Sequence, residues 1–236
     1  MSGMKKHLKP MALGLCLGLL IFGTGKFFGI QPQTIVLVSI LVAVFVVLGA
    51  CAYNYIYMRK YRERVQHQLR LLEEEHPREA LADMEAMWEE TKGKNMKRVA
   101  RLCRLNMTAA YCDLKEYEKA LEVLRELSGE KLVGNEDLVY RLNLCACYFY
   151  QGREEEGLLS YASGRQVFDC YRKDKTYGGN IAVITMHALL AQDKWTEAAA
   201  LLEEARKKWD FPRLQDDYRA IEHRLKMHEH ALRGEK

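Results

Sequence analysis

Two patterns of apolar and polar positions divide the chain. From Pro10 to Met58 apolar residues run almost unbroken, with Lys26 the single charge, whereas after Met58 they recur every three or four residues, the period of an amphipathic helix. The alternation of a half-buried strand is nowhere seen, so the pattern predicts an all-α protein. Arg59 to Glu75 places Val65, Leu69, Leu71 and Leu72 at helical spacing and can continue from the apolar region without a break. Pro77 suits the first turn of a new helix whose face carries Ala80, Leu81, Met84, Met87 and Trp88.

Lys92 to Asn95 interrupts the pattern. A helix over Met96 to Asp113 then presents Val99, Leu102, Cys103, Met107, Ala110 and Tyr111. A turn at Asp113 to Lys115 leads to a helix with Tyr117, Ala120, Leu121, Leu124 and Leu127, closed by Ser128 and Gly129. Leu138 to Tyr150 and Glu154 to about Phe168 form the next pair around the turn Gln151-Gly152-Arg153. Ile181 to Leu190 and Trp195 to Trp209 form another around Gln192-Asp193-Lys194. After Asp210-Phe211-Pro212, a polar helix from Arg213 to about Leu232 carries a thin stripe of Leu214, Tyr218, Ile221 and Leu225 and reads as a cap.

One stretch occurs twice. Arg104 to Tyr111 reads RLNMTAAY and Arg141 to Tyr148 reads RLNLCACY, each followed by a polar break and a second amphipathic segment. A repeated helix pair cannot bury its apolar face alone and must stack on its neighbours. The segment AAYCDLKEYEKALEVLREL, from Ala109 to Leu127, resembles the tetratricopeptide repeat: Tyr111 and Tyr117 match its aromatics and Ala120 its small residue. Tyr148, Gly152 and Gly157 take the aromatic, turn and small positions of the next unit. Trp195, Ala198 and Ala205 match the second helix of the last, and HPREALADMEAM, with Ala80, is a worn first unit. Units about 40, 37 and 41 residues apart are longer than that family's, and looser stacked hairpins would meet the same packing need.

The resemblance implies a solenoid over 59–211, with 212–236 as capping helix and tail, and a groove lined by the first helix of each pair. Carried over, the groove residues are Asn106, Asn143, Asp113, Tyr150 and His187, and the occupant is a protein or peptide. Asn106 and Asn143 have a second reading, in which their amides bond to neighbouring helices and set the repeat geometry. Arg104 and Arg141 turn to another side, so no carboxylate clamp is assigned.

Charge changes the picture of the first 58 residues. Residues 1–72 carry nine Lys/Arg against the single acid Glu63, within a chain whose net charge is +4, so the remainder is net acidic. The run from Thr34 to Tyr57 exceeds the roughly 20 residues that span a bilayer core. Met11 to Ile30 spans as well if Lys26 snorkels to the headgroups. A secretory signal peptide would begin in the same way, but no A-x-A-like site follows and a second apolar run arrives at once. The pattern therefore predicts a membrane hairpin over 1–58, with spans at about 11–30 and 34–57 and its outer turn at Gln31-Pro32-Gln33.

Lys5, Lys6 and Lys9 before the first span, and Arg59, Lys60, Arg62 and Arg64 after the second, place both termini and the repeat domain in the cytoplasm, as in a bacterial inner membrane. Those four later cations are placed to meet anionic lipid headgroups.

The chemistry-bearing motifs reduce to plainer readings. Gly23 to Lys26 resembles the end of a phosphate loop, but Leu20 stands where glycine is needed and Phe27 where a hydroxyl would hold magnesium. Glu73 to Glu75, Glu154 to Glu156 and Asp216-Asp217 read as solvated helix faces, and His223, His228 and His230 as a frayed polar tail. Seven cysteines in a cytoplasmic setting predict no disulfide. No cofactor, metal, catalytic set or nucleic-acid partner is expected. The function expected is a membrane-anchored adaptor. The alternative is an accessory subunit of a membrane complex whose hairpin does the work, motivated by Gly14, Gly18, Gly23 and Gly25 on the first span.

Overall fold

The computed structural model describes Gly29, residues 31–92 and residues 96–234. Apart from Gly29, the first predicted span lies outside these residues, with Gly14, Gly18, Gly23, Gly25 and the lysines that precede it. All elements among the described residues are helical.

Helix α1 runs from Pro32 to Glu73, 42 residues without a break, or about 63 Å at 1.5 Å per residue. The expected turn at Gln31-Pro32-Gln33 is instead the start of this helix. The carbonyl of Gln31 accepts from the amides of Thr34 and Ile35 at 3.0 and 3.2 Å. Proline in the first helical turn lacks only a donor that would have had no partner there, so it opens the helix rather than interrupting it. The apolar side chains from Val36 to Ile56 stand exposed on several sides of α1, Phe45 at 73% and Val47 at 60%. Among the described residues this is the one helix long and apolar enough to cross a membrane, with a mean hydropathy of 3.1 over an 18-residue window.

The chain divides into two compact units between Arg64 and Val65, within α1. The second unit contains the end of α1, then α2 (Pro77–Lys92), α3 (Lys97–Asp113), α4 (Tyr117–Leu127), α5 (Asn135–Tyr150), α6 (Glu154–Tyr171), α7 (Gly178–Leu190), α8 (Trp195–Lys208), a 3-10 turn (Pro212–Leu214) and α9 (Gln215–Arg233). From α2 to α9 each helix packs on the next, and α3, α5, α7 and α9 also touch in that order.

Four turns share one backbone plan. Glu75, Lys115, Gly152 and Asp193 take left-handed φ values of 62°, 59°, 72° and 58°, at intervals of 40, 37 and 41 residues. In each turn the next amide reaches back five residues: His76 to Leu71, Glu116 to Tyr111, Arg153 to Tyr148 and Lys194 to Leu189, at 2.8–2.9 Å. The left-handed residue itself donates three back, to Leu72, Cys112, Phe149 and Leu190. These paired bonds satisfy carbonyls that a helix end leaves open. The next helix starts two residues after the left-handed one every time, at Pro77, Tyr117, Glu154 and Trp195.

Three residues further on stands a small side chain. Ala80, Ala120 and Ala198 are fully buried, and Gly157 takes their place in the third pair. A Cβ at Gly157 would lie 2.6 Å from Phe149 Cε1: the ring of Phe149 fills the room that alanine takes elsewhere. The same logic explains Gly178 and Gly179, where a Cβ would meet the Trp209 indole at 2.4 Å and Leu214 Cδ1 at 2.5 Å. Because these glycines pack under Trp209 and Leu214, α7 begins at Gly178 rather than at the expected Ile181.

Other limits shift for local reasons. α5 begins at Asn135, not Leu138, after Gly134 at φ 61°, and α6 continues to Tyr171. Gly129 does not supply a left-handed end to α4; Ser128 closes it, donating its hydroxyl to the Arg125 carbonyl at 2.6 Å. The tail is not frayed, since α9 continues to Arg233 and His228 stacks on Trp195 at 3.9 Å. Leu214, Tyr218 and Ile221 are buried against α7 and α8, each apolar burial of this size contributing about 1.5–3 kcal/mol. Tyr218 donates to the Trp209 carbonyl at 3.1 Å.

Candidate functional site

The duplicated stretch uses its polar residues to join helices. Arg104 reaches α4, pairing with Glu126, and Arg141 reaches the equivalent place on α6, donating to the Ser163 carbonyl at 3.0 Å. Each arginine thus ties a first helix to its own second helix. Asn143 does the complementary job: its amide donates to Thr108 Oγ1 and to the Leu105 carbonyl, both on α3. Thr108 in turn donates to Leu105 at 2.7 Å. Asn143 therefore links one first helix to the preceding one, the geometric role anticipated for it. Asn106 is 9% exposed, and its Nδ2 has no hydrogen-bond partner. Gln68, buried at the end of α1, has an equally orphaned Oε1.

The other three sequence-predicted residues come together near the ends of the first helices. Tyr150, at the end of α5, donates to Asp217 Oδ1 on α9 at 2.7 Å. Its ring lies 5.8 Å from Tyr117 and edge-on to His187 at 5.3 Å. His187 also stacks on Phe149 at 5.7 Å. It is 6% exposed and neither ring nitrogen has a hydrogen-bond partner.

Burial, with a smaller push from Arg224, holds the His187 imidazole down at about 4, so it is neutral at pH 7. Asp113 ends α3. It keeps solvent access, so part of its charge is screened, yet desolvation by the surrounding protein pushes its carboxyl up to about 6; Arg213 opposes that rise and Asp217 adds to it. Burial likewise raises Asp217, against the hydrogen bond from Tyr150. Desolvation drives the Tyr150 phenol well above its ordinary value.

Asp217, Tyr117 and Arg213 were not among the groove residues expected from the sequence. Asp217 looked like half of a solvated acid pair, and only the hydrogen bond that α9 makes to the end of α5 gives it a different role. Its neighbour Asp216 pairs with Arg219. Glu154 meets Arg224 at 2.9 Å and Glu156 meets Arg153 at 2.8 Å, ion pairs at exposed positions, so these acids remain on solvated faces.

A cavity of about 50 Å³ lies among Asn143, Ala146, Tyr150, Asn180 and Asp217, space for about one water. Beside it, Tyr117 borders an open recess of about 390 Å³ with Lys115, Glu116, Glu118 and Gln151. The arrangement offers aromatic faces, carboxylates and amides for hydrogen bonding. Among the described residues no group of three or more His, Cys, Asp or Glu could hold a metal ion.

The cations after the apolar segment sit on α1. Arg59 pairs with Glu63 at 2.7 Å, Lys60 and Arg62 are exposed, and Arg64 is half-buried.

Comparisons with protein families, curated proteins and solved structures found no match for this chain.

Proposed function

We propose that the chain is a membrane-anchored adaptor: a stack of tetratricopeptide-like helix pairs that holds a protein or peptide partner, fixed to the membrane by its N-terminal apolar region. The observation that carries this reading is the fourfold turn. Four helix pairs close with the same backbone bonds, and three successive first helices line up beside one another, the arrangement in which repeat proteins expose a binding face. The long apolar part of α1, exposed on several sides, supports the anchor. The cations that follow it favour a cytoplasmic repeat domain, as in a bacterial inner membrane.

Much of the groove expected from the resemblance is engaged internally: Asn143 by α3, Tyr150 by Asp217, and Asn106 and His187 by burial. The partner surface we favour is therefore the solvent-open part beside that cluster, with Asp113 and Tyr117 at its centre.

The test is site-specific photo-crosslinking of the full chain in its native membrane, with the probe at Lys115 or, as control, at Leu159 on α6, which is 72% exposed. A defined protein crosslinked from Lys115 but not Leu159, and lost when Asp113→Lys is introduced, is the expected result. Equal crosslinking from both positions would remove the assignment. A parallel chain with residues 1–58 replaced by an unrelated membrane anchor should keep the crosslink; its loss would favour the hairpin as the working part.

A further inference from the structure

We propose that Cys112 and Cys147 form an oxidation-dependent disulfide that locks α3 to α5, two successive first helices of the repeat. None of the six cysteines among the described residues is in a disulfide, and the sulfurs of these two meet. Their sulfurs are 3.4 Å apart although the residues are 35 positions apart in sequence. Cys112 is half-buried at the end of α3, while Cys147 is fully buried in the core formed by Ala110, Ala120 and Leu124. Cys112 is the more exposed of the two and Cys147 the fully enclosed one, the order in which an attacking and a resolving thiol act.

The co-oxidant is a small-molecule disulfide. The Cys112 thiolate attacks one of its sulfurs, the S–S bond breaks and one thiolate leaves. The Cys147 thiolate then attacks Cys112 Sγ and expels the second. Two electrons pass from the protein thiols to the small disulfide, and the two protons released go to the departing thiolates. The contact with Cys147 and then burial push the Cys112 thiol well above its ordinary value. Little thiolate is present at neutral pH, so the bond forms slowly there and faster, by about tenfold per pH unit, toward pH 9. Such a bond responds to sustained oxidation, not to brief exposure. It closes a long loop, and cross-links of that length restrict the unfolded chain.

The experiment uses the full chain in detergent micelles with Cys51 and Cys170, both exposed, replaced by serine. The protein is equilibrated with oxidised glutathione at pH 7 to 9, its remaining thiols are blocked, and peptides are mapped without reduction. The expected product is a peptide pair joined through Cys112 and Cys147, released by dithiothreitol, with a Tm raised by about 4 °C or more. Cys147→Ser should trap a stable glutathione adduct on Cys112, whereas Cys112→Ser should leave Cys147 unmodified. If Cys112 and Cys147 are both recovered blocked as free thiols at pH 9, or if Cys112→Ser leaves Cys147 equally reactive, the proposal fails.

Discussion

Burying His187 with both ring nitrogens unpaired opposes folding, and it does so in a pH-dependent way. Its folded-state pKa of about 4 lies below the ordinary 6.5. As pH falls from about 6.5 to 4, the unfolded chain therefore takes up a proton that the folded chain refuses, and stability present at neutral pH is lost. That gap corresponds to about 3 kcal/mol. Asp113 acts in the opposite sense: with its carboxyl raised to about 6 from 3.8, its contribution declines as pH rises through that interval. Asp113 meets solvent and its share is screened, and the hydrogen bond from Tyr150 limits the rise of Asp217, which acts in the same sense as Asp113, so His187 prevails. Tm should rise between pH 4 and 6.5, and His187→Phe, which keeps the stack with Phe149 and Tyr150, should abolish most of the rise. A wild-type Tm that is level over this range would contradict the burial of a neutral imidazole. Packing makes its own prediction nearby. Gly157→Ala should lower stability by about 1–3 kcal/mol in urea titrations, and adding Phe149→Leu should restore part of it, because the Phe149 ring is what the new methyl meets. The sequence identified Gly157 as a small position; that it must be glycine depends on the ring seated across from it.

Among the elements, the four turns are the feature most open to direct measurement. Three of the four left-handed positions carry side chains, Glu75, Lys115 and Asp193, where glycine is the natural occupant. Replacing each by glycine should raise stability by about 0.5–1 kcal/mol, the left-handed penalty outweighing the entropy glycine adds to the unfolded chain. Gly152→Ala should lower it by a comparable amount. Lower urea midpoints for all three glycine variants would argue against the common turn. Helix limits at these turns were readable beforehand, since the change from periodic to polar residues coincides with the chain's reversal. The starts of α5 and α7 were not. They depend on Gly134, and on Gly178 and Gly179 beneath Trp209, contacts with no local signature.

For the molecule as a whole, α1 joins an apolar stretch with no described protein cover along most of its length to a packed helical unit. Charges placed in that stretch should separate the two parts. Val44→Asp with Val47→Asp should release the chain from alkaline-washed membranes, each charge near a bilayer centre being unfavourable by about 2.5–3.5 kcal/mol, while leaving the thermal transition of the helical unit in place. Retention in the membrane fraction would imply that this stretch is not what anchors the chain. The periodicity of the sequence was sufficient to determine an all-helical protein, the pairing of its helices and the spacing of its repeats, because each rests on side chains close together along the chain. It also determined the long apolar run, a matter of composition alone. Only the tertiary structure decided that Asn143 faces inward to α3, that Asp217 meets Tyr150, that His187 is buried without a partner and that Cys112 touches Cys147. Those contacts join positions 35 or more residues apart, or depend on which face of a helix a neighbour covers, and neither is encoded in any single segment.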